Sequence, residues 1–524
     1  MSLILLNSVT FYYTSPDEKL FDNLNLNIST DWKSGLIGRN GKGKTTLLNL
    51  INKSITPVKG AVYTDVSTNY FPYYPANIFD RTINVIKENI APYTFLGAKI
   101  NLLTSKSDKK SMEEYGEVLE KFQELNGYEI DSMIEKEFDE LKMSSNLLNR
   151  EFGSLSGGEQ TRSLLVSLFL KKDSFTLIDE PTNHLDMEGR QVLGKYLSGK
   201  GGFILVSHDR YFLDLCVDHI ISINKNDVRI SKGNYNQWKY NADLEEEYEK
   251  RKSNKLKREI KSLEVAAKKR RQWSDKKEKE ITGSGDKGFI SHRSAKLMKR
   301  ALNIESRVDK KLEEKKTLLK NFEKERSLKL NAKSKSAKKI ISINNAYLKL
   351  GDRVVLENFS FTVNEGDRVA IIGGNGCGKT TLVRVLIGEL ELDAGLLYKP
   401  NFVTISCAKQ NPLWDKGSLR KYLKDETIDE TKFRNIMGVL GASGNLFERP
   451  LESFSKGELK KVELCKSFLE PYDLLIWDEP LNYLDVLSRE QIEIVILKHK
   501  PTMIFTEHDK IFIEKIATHI IKLN

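Results

Sequence analysis

Apolar segments of strand length recur along the chain, each followed by glycine-rich or acidic residues. Residues 36–37 and 369–372 precede glycine-rich loops, and FTLID (175–179) and LLIWD (474–478) each end in an aspartate. Two further apolar runs, GGFILVS and PTMIFTE, follow these aspartates. Continuous apolar runs of this length are typical of strands that are buried on both faces of a parallel sheet. The pattern predicts α/β domains.

The longest helical pattern covers residues 241–339, where proline is absent. Apolar residues recur there at helical spacing in two runs: Leu244, Tyr248, Leu256, Ile260 and Leu263, then Leu297, Ala301, Ile304, Val308, Leu312, Leu319 and Phe322. Glycines within residues 283–293 separate the runs and predict a break. The segment therefore predicts an antiparallel helical hairpin, with helices of about 40 residues and about 60 Å.

A series of motifs occurs twice in the same order. The pairs are GRNGKGKT (38–45) and GGNGCGKT (373–380), DEP (179–181 and 478–480), NHLD (183–186) and NYLD (482–485), and SHD (207–209) and EHD (507–509). The first pair matches the phosphate-loop pattern after a strand and before a helix, as that motif requires. The repetition predicts two copies of one phosphate-loop ATPase domain, at 1–240 and 340–524, joined by the hairpin at 241–339.

The first copy is longer than the second between the phosphate loop and the next motif. Lys44 and Ser156 are 112 residues apart, whereas Lys379 and Ser455 are 76 apart. The extra residues fall within about 80–125, which is rich in charged and apolar residues of helical type. We interpret this segment as an inserted helical arm. An ordinary, longer helical subdomain would explain the same difference.

The phosphate loops predict how ATP is bound. Backbone N–H groups of a glycine-rich loop approach the phosphates, at the positive end of the following helix. We expect Lys44 and Lys379 to contact the β- and γ-phosphates. The predicted ATP-binding residues of the two loops are Gly38, Asn40, Gly41, Gly43, Lys44, Thr45 and Thr46, and Gly373, Asn375, Gly376, Gly378, Lys379, Thr380 and Thr381.

The residues that follow the apolar runs predict metal binding and hydrolysis. Threonine after the loop lysine ligates Mg²⁺, and an aspartate that ends a buried strand orders the ion. The next glutamate can polarise the attacking water as a general base, and a histidine after the next strand can contact the γ-phosphate. The metal residues are Thr45, Asp179, Thr380 and Asp478, and the catalytic residues are Glu180, Glu479, His208 and His508.

LSGGEQ (155–160) begins an amphipathic helix, and its serine and glycines expose helix N-terminal amides that suit a γ-phosphate. With this signature, the chain resembles the ABC ATPase superfamily. In that family two domains pack head to tail, and each ATP lies between one phosphate loop and the signature of the other domain. The resemblance adds ATP-binding residues from the two signatures: Ser156, Gly157, Gly158 and Glu159, and Ser455, Gly457 and Glu458.

The chain departs from the family pattern in ways that predict two unequal sites. The second signature reads FSKGE, with Lys456 in place of glycine. The family's metal-contacting glutamine is present as Gln410, but Tyr73 takes that place in the first copy. Tyr13 is the predicted adenine-stacking residue, and its counterpart is Leu350. We expect the site built on Lys44 to bind ATP but to hydrolyse it slowly.

Positive charge is concentrated in the linker. Residues 241–339 contain 32 Lys and Arg against 17 Asp and Glu, a net charge of +15, whereas the rest of the chain has 52 against 56. A solvated hairpin without a ligand is one explanation. Phosphate contacts with structured RNA, recognised by shape, explain the excess better, because a merely solvated surface would mix both signs.

Two ABC domains, a charged hairpin between them, NGYEID (126–131) and GNY (233–235) resemble the ABC-F family of translation factors. The resemblance implies that residues 241–339 enter the tRNA exit site and contact large-subunit rRNA and P-site tRNA. Residues 283–293, with Phe289, would be the tip near the peptidyl-transferase centre. WDEPLNYLD (477–485) resembles the group that protects ribosomes from lincosamides, streptogramin A and pleuromutilins.

Other functions fit parts of the sequence. A housekeeping translation factor shares the same architecture, and fused ABC domains also energise membrane importers. The basic linker and Tyr73 count against the importer, and a DNA-repair ATPase would need longer coiled coils or zinc ligands. Four scattered cysteines, a start without a basic region and no apolar run of about 18–20 residues favour a cytoplasmic protein that does not span a membrane. We also expect it to be monomeric.

Overall fold

The computed structural model describes residues 2–13, 19–104, 109–183, 185–224, 227–281, 339–442 and 444–523. The chain forms two compact units, one of Met1–Tyr235 with Leu328–Asn524 and the other of Asn236–Ser327. The first unit contains both repeated domains. They are called cassette 1, up to Tyr235, and cassette 2, from Lys339.

Cassette 1 combines an antiparallel sheet with a larger, mainly parallel sheet. Strands β1 (Leu3–Phe11), β2 (Phe21–Ser29) and β4 (Lys59–Thr64) form the antiparallel sheet, in the order β2-β1-β4. The larger sheet contains β3 (Lys33–Gly38), β5 (Ser67–Phe71), β6 (Ser174–Asp179), β7 (Phe203–Val206), β8 (His219–Ile223) and β9 (Val228–Lys232). Its order is β5-β6-β7-β3-β8-β9, and β9 runs antiparallel to β8.

The helices of cassette 1 include a pair with a small core of its own. The helices are α1 (Lys44–Ile51), α2 (Thr82–Ile90), α3 (Tyr93–Thr104), α4 (Lys109–Glu124), α5 (Ile130–Glu140), α6 (Gly157–Phe169), α7 (Met187–Ser198) and α8 (Arg210–Cys216). Leu96, Leu103 and Val118 bury one another between α3 and α4. The extra residues of the first copy therefore form helices.

Cassette 2 repeats this plan without the inserted pair. Strands β10 (Lys339–Leu350), β11 (Arg353–Asn364) and β13 (Ala394–Tyr398) form an antiparallel sheet in the order β11-β10-β13. The parallel sheet contains β12 (Arg368–Ile372), β14 (Ile405–Ala408), β15 (Leu474–Asp478), β16 (Met503–Thr506) and β17 (His519–Lys522), in the order β14-β15-β16-β12-β17.

The helices of cassette 2 are numbered after the linker helix α9 (Tyr235–Ile281). They are α10 (Lys379–Ile387), α11 (Leu419–Asp425), α12 (Glu430–Val439), α13 (Lys456–Leu469), α14 (Val486–His499) and α15 (Lys510–Ile516). Every residue of β7, β15 and β16 is buried. The predicted apolar runs are thus central strands covered on both faces, and their carboxyl ends bring the motif residues to one edge.

The linker begins as one helix, α9 (Tyr235–Ile281), of 47 residues. It starts six residues earlier than the predicted start at about 241, because the helix continues directly from the GNY turn. Ion pairs one turn apart line its first part, as between Lys239 and Asp243 (2.9 Å) and between Lys250 and Glu246 (2.9 Å). The predicted tip at 283–293 and the predicted second helix lie outside the described residues. Among the described helices, none is both long and apolar enough to cross a membrane.

Candidate functional site

Both phosphate loops depend on glycine at the start of a helix. Gly43 (φ 95°) precedes α1 and Gly378 (φ 103°) precedes α10, both in the left-handed region. A Cβ atom at Gly43 would lie 2.8 Å from Phe21 Cζ, and one at Gly378 would lie 2.2 Å from Val355 Cγ1. Glycine is therefore required by both backbone conformation and space. The loops bring backbone amides to helix N-termini, where phosphate groups bind.

The two loop lysines are buried against their own loops. Lys44 Nζ donates to the carbonyl oxygens of Gly38 (2.9 Å) and Arg39 (3.3 Å) and to Asn40 Oδ1 (3.2 Å). Lys379 Nζ donates to the carbonyl oxygens of Gly373 (2.9 Å) and Gly374 (2.8 Å). Burial lowers the pKa of Lys44, although the nearby carboxylates oppose the shift. A bound phosphate would favour the charged ammonium.

The predicted metal residues of cassette 1 are in contact. Thr45 Oγ1 donates to Asp179 Oδ2 at 2.7 Å, and the hydroxyl of Tyr70 donates to the same oxygen at 3.1 Å. In cassette 2, Asp478 Oδ1 accepts instead from Thr506 Oγ1 at 2.6 Å. A hydroxyl beside a carboxylate is the hard-oxygen set that Mg²⁺ prefers together with nucleotide phosphates. Tyr70 belongs to none of the repeated motifs. The signal for it in the sequence is a difference between the copies, because strand pairing places Cys407 at the equivalent position of cassette 2.

Each predicted general base lies near the predicted switch histidine of its own cassette. Glu180 and Glu479 follow the ends of β6 and β15 with left-handed φ angles of 53° and 46°. His208 Nε2 is 3.4 Å from Glu180 Oε1, and His508 Nε2 is 3.7 Å from Glu479 Oε1. Residues held in this strained conformation concentrate at functional sites, where the surrounding structure enforces it.

Burial controls protonation at these groups. Burial, reinforced by Asp179, raises the pKa of Glu180 to about 8, although Lys44 opposes the shift. Burial also lowers the pKa of His508 to about 3 and holds the pKa of His208 well below its usual range. Both histidines are therefore neutral at physiological pH, so each ring can donate one hydrogen bond and accept another.

The two cassettes differ at the position of the family's glutamine. Strand pairing makes Tyr73 and Gln410 equivalent, because each lies two residues after the last paired residue of its strand. Gln410 Nε2 donates to Glu479 Oε2 at 2.8 Å, whereas the hydroxyl of Tyr73 is hydrogen-bonded to Ser167 Oγ at 2.7 Å. Tyr73 is thus tied to the signature helix α6 of its own cassette. The predicted contact of Gln410 with Mg²⁺ stays a prediction.

Both signature helices begin with a reciprocal cap. Ser156 Oγ accepts from the Glu159 amide at 3.3 Å, and Glu159 Oε2 accepts from the Ser156 amide at 2.8 Å. Ser455 and Glu458 repeat this arrangement at 3.2 and 2.8 Å. Lys456 occupies the first helical position of α13 without disturbing the cap. The second signature therefore keeps its helix start but adds a positive side chain there.

The phosphate loop of cassette 1 contacts cassette 2 directly. The Asn40 amide donates to Asp485 Oδ2 at 3.1 Å, and Asn40 Nδ2 donates to the Tyr483 carbonyl at 2.8 Å. A Cβ atom at Gly457, in the second signature, would lie 2.8 Å from Asn40 Nδ2. Lys456 Nζ lies 5.2 Å from the centre of the Tyr483 ring. The first loop thus faces the second signature and the NYLD loop.

The other phosphate loop faces the equivalent part of cassette 1. A Cβ atom at Gly374 would lie 3.6 Å from Asp186 Oδ2, in the NHLD loop. The cassettes therefore meet head to tail at both loops. The predicted approach of the first signature (156–158) to Lys379 stays a prediction. We call the place where the first phosphate loop (38–45) faces cassette 2 the Lys44 site. The place where the second loop (373–380) faces cassette 1 is called the Lys379 site.

Tyr13 lies beside the first phosphate loop. Its hydroxyl is hydrogen-bonded to Thr46 Oγ1 at 2.8 Å, and its ring meets Phe11 edge to face at 5.0 Å. The ring is 66% exposed, so a face remains accessible to a stacking partner, as the predicted adenine contact requires. Its counterpart, Leu350, is also exposed but has no aromatic ring.

The sites fit a magnesium nucleotide. Glu180 Oε1 and His508 Nε2 are buried without a hydrogen-bond partner in the described part of the chain. Such groups need a further polar partner, which an attacking water and a phosphate oxygen would supply. Mg²⁺, held by Thr45 and Asp179, would neutralise charge on the β- and γ-phosphates. Facing phosphate loops, carboxylate-ended strands and capped helices define a twin-cassette ATPase.

The chain belongs to the ABC transporter family, whose model matches residues 21–183 and 356–482. It is 28% identical to the ribosome protection protein VmlR of Bacillus subtilis, over 96% of this chain and 84% of that protein. It is 27% identical to the energy-dependent translational throttle protein EttA of Escherichia coli, over 97% of this chain and 89% of that protein. The ABC-F resemblance and ATP hydrolase activity are thereby confirmed.

Solved structures share the fold over most of the chain. An archaeal ribosome recycling factor, solved with a ribosomal stalk protein, matches with a TM-score of 0.61 and 17% identity, over 98% of this chain and 87% of that chain. A structure of RNase-L inhibitor matches with a TM-score of 0.59, also at 17% identity, over the same shares of the two chains. The twin-cassette architecture predicted from the repeated motifs is confirmed.

Proposed function

We propose that this protein binds the ribosome in its ATP-bound form and protects it from antibiotics that act at the peptidyl-transferase centre. The observation that supports this proposal most strongly is the position of the positive charge along the chain. Residues 241–339, between the cassettes, have 32 Lys and Arg against 17 Asp and Glu. Phosphate groups of RNA are the partners that such a segment attracts most strongly. Similarity to a ribosome protection protein, over 96% of this chain and 84% of that protein, supports the same target.

Nucleotide controls ribosome binding in this proposal. ATP between the cassettes neutralises the lysines of the phosphate loops and joins each loop to the opposite signature. Asn40, which contacts both Asp485 and Tyr483, connects the Lys44 site to cassette 2. When the cassettes close, the basic segment enters the tRNA exit site. There, residues 241–339 contact large-subunit rRNA and P-site tRNA. Hydrolysis opens the cassettes and permits release.

A housekeeping translation factor is the second candidate. EttA of E. coli matches this chain over nearly the same length and with nearly the same identity as VmlR. Both functions use the same ATPase and the same basic segment, so neither feature separates them. Drug protection requires the basic segment to reach a bound antibiotic, whereas a translation factor requires contact with tRNA.

Drug susceptibility separates the two candidates. The gene is expressed in a susceptible bacterial host, and inhibitory concentrations of a lincosamide, a streptogramin A and a pleuromutilin are measured. We expect resistance to at least one class, and its loss when residues 283–293 are shortened to a glycine linker. The ATPase rate of the shortened protein serves as the control and should remain unchanged.

Two other results would change the assignment. Unaltered susceptibility to all three drug classes, together with nucleotide-dependent ribosome binding, would favour the translation factor. Recovery of the protein with membranes rather than with ribosomes would contradict both candidates and would favour an importer subunit.

A further inference from the structure

Helix α14 of cassette 2 contacts three separate parts of cassette 1. The first of these is the phosphate loop of the Lys44 site. Asp485 caps α14, because its Oδ1 accepts from the Ser488 amide at 2.8 Å. Its other oxygen accepts from the Asn40 amide at 3.1 Å and lies 3.2 Å from Lys461 Nζ. The residue is fully buried. The start of α14 is therefore held by the loop that binds phosphate.

The second contact lies two turns along α14. Glu493 forms an ion pair with Arg210, the first residue of α8, and both side chains are almost fully buried. Arg210 also lies 3.7 Å from Asp509, and Lys515 lies 3.2 Å from Glu493. A buried cluster of this kind fixes geometry, because removal of one member leaves another charge unpaired. Arg210 follows the predicted switch residue His208 by two positions.

The third contact holds the first residue of the linker helix. Tyr235, where α9 begins, is only 2% exposed, and its hydroxyl donates to Glu490 Oε1 at 3.1 Å. Glu490 and Glu493 are one turn apart on α14, so they share one face of that helix. A single helix thus connects the phosphate loop of the Lys44 site, the segment after its switch histidine and the start of the linker.

The repeat does not provide these last two contacts a second time. The motif spacing places Gln191 and Gly194 of α7 at the positions of Glu490 and Glu493. Lys510 takes the place of Arg210, and its Nζ lies 4.7 Å from the centre of the Tyr211 ring. Among the residues that the structure describes, the connection between nucleotide and linker is therefore one-sided.

We propose that α14 relays the nucleotide state of the Lys44 site to the first turns of α9, with Glu490 and Glu493 as positioning residues. In this role the Lys44 site governs the linker, and the Lys379 site performs most of the hydrolysis. ATP at the Lys44 site fixes Asn40 and Asp485, and through α14 it steadies Tyr235. The inference rests on the ATPase alone, so purified protein without ribosomes tests it.

Hydrogen exchange of α9 measures the relay. Amides of residues 239–245 are followed by mass spectrometry, with and without ATP, in the Glu180→Gln/Glu479→Gln protein. We expect ATP to slow their exchange by roughly tenfold, and Tyr235→Phe or Glu490→Ala to abolish that slowing, since each removes the same charge-assisted hydrogen bond. The double variant should resemble either single one, because the changes act on one contact.

Matched control variants test whether a substitution merely makes the protein more flexible in general. Tyr240→Phe makes the same change on an exposed tyrosine of α9, and Gln191→Ala changes the equivalent position of the other cassette. Both should leave the ATP response unchanged, and all four variants should keep ATP binding. An undiminished ATP response in both Tyr235→Phe and Glu490→Ala, or an equal loss in the controls, would overturn the proposal.

A second comparison assigns the relay to one site. In otherwise wild-type protein, Lys44→Ala should remove the ATP-dependent slowing of exchange in residues 239–245, whereas Lys379→Ala should retain at least half of it. Nucleotide occupancy of each site is checked with a photoreactive ATP analogue. Equal losses from the two substitutions, at confirmed occupancy of the remaining site, would contradict a one-sided connection.

Discussion

At the Lys44 site, one carboxylate oxygen accepts from two hydroxyl groups. Asp179 Oδ2 accepts from Thr45 and from Tyr70, and the second contact fixes the orientation of the carboxylate. When a group that hydrogen-bonds to a metal ligand and orients it is removed, metal affinity commonly falls by about 10- to 100-fold. We therefore expect Tyr70 to set the geometry of the predicted metal position, in the cassette where Tyr73 replaces the family's glutamine.

Removal of the Tyr70 hydroxyl should weaken metal binding at the Lys44 site. We expect Tyr70→Phe to lower the affinity for Mn²⁺ with ATP by about tenfold, because the Asp179 carboxylate loses the donor that orients it. Electron paramagnetic resonance of Mn²⁺, in protein whose Lys379 site is disabled by Lys379→Ala, measures the affinity directly. Tyr73→Phe is the control, since that hydroxyl contacts Ser167 instead. Equal losses for the two tyrosines would contradict this role.

The predicted switch histidines, His208 and His508, are neutral because they are buried beside lysine, which lowers their pKa. Burial, then Lys379 and Arg190, lower the pKa of His508 to about 3. In the unfolded chain its pKa returns to about 6.5. Between these values the unfolded chain binds a proton that the folded protein does not. The stability that this residue contributes is therefore present above about pH 6.5 and is lost as the pH falls.

This proton linkage predicts the direction of an acid effect on stability. On lowering the pH from 7 to 5.5, wild-type protein should lose about 1 kcal/mol more free energy of unfolding than His508→Gln, which cannot take up the proton. Urea unfolding measures the difference, followed by tryptophan fluorescence, to which the buried Trp414 and Trp477 of cassette 2 contribute. An identical pH dependence in the two proteins would show that His508 is charged in the folded state.

At the scale of elements, the repeated motifs predicted the loops and strands correctly because local chemistry determines them. The last glycine of a phosphate loop adopts a left-handed conformation at the start of the following helix, as Gly43 does. The strand that ends at Asp179 is apolar because it lies in the centre of the sheet and is covered on both faces. The contact of Asn40 with Asp485 joins residues 445 positions apart, and no local pattern encodes it. The same holds for Tyr235 and Glu490.

Helix α9 begins six residues before the predicted start at about 241, and the difference has a physical reason. The predicted start at about 241 followed the change in charge, whereas the helix begins at Tyr235. Residues 235–240 contain a single charged residue, Lys239, and Tyr235 is buried against cassette 2. Composition marks where the basic segment begins, but a helix start depends on tertiary contacts of individual side chains.

The elements around the two predicted general bases, Glu180 and Glu479, predict that the two sites hydrolyse ATP at unequal rates. Gln410 donates to Glu479, whereas the equivalent Tyr73 is tied to α6, and Lys456 stands in the signature that faces the Lys44 site. We expect Glu479→Gln to lower steady-state ATP hydrolysis by at least about tenfold and Glu180→Gln by about twofold or less. Phosphate release assays measure both. Equal losses would mean that the sequence differences do not matter for hydrolysis.

At the scale of the whole molecule, the excess of positive charge and the residues that fit ATP lie in different segments of the chain. The cassettes hold the residues that fit ATP, and together the parts outside 241–339 have 52 Lys and Arg against 56 Asp and Glu. The linker holds the whole positive excess. A protein built in this way can use nucleotide energy in one place to control attraction to a polyanion in another.

The most direct test of that division is sedimentation of the Glu180→Gln/Glu479→Gln protein with ribosomes. With ATP and at low salt, the trapped protein should pellet with ribosomes, and its binding should fall steeply between 50 and 200 mM salt, as expected for phosphate contacts. Without ATP, or after Lys44→Ala and Lys379→Ala, it should stay in the supernatant. If the trapped protein holds ATP but remains in the supernatant with ribosomes at low salt, nucleotide does not control ribosome binding in this protein.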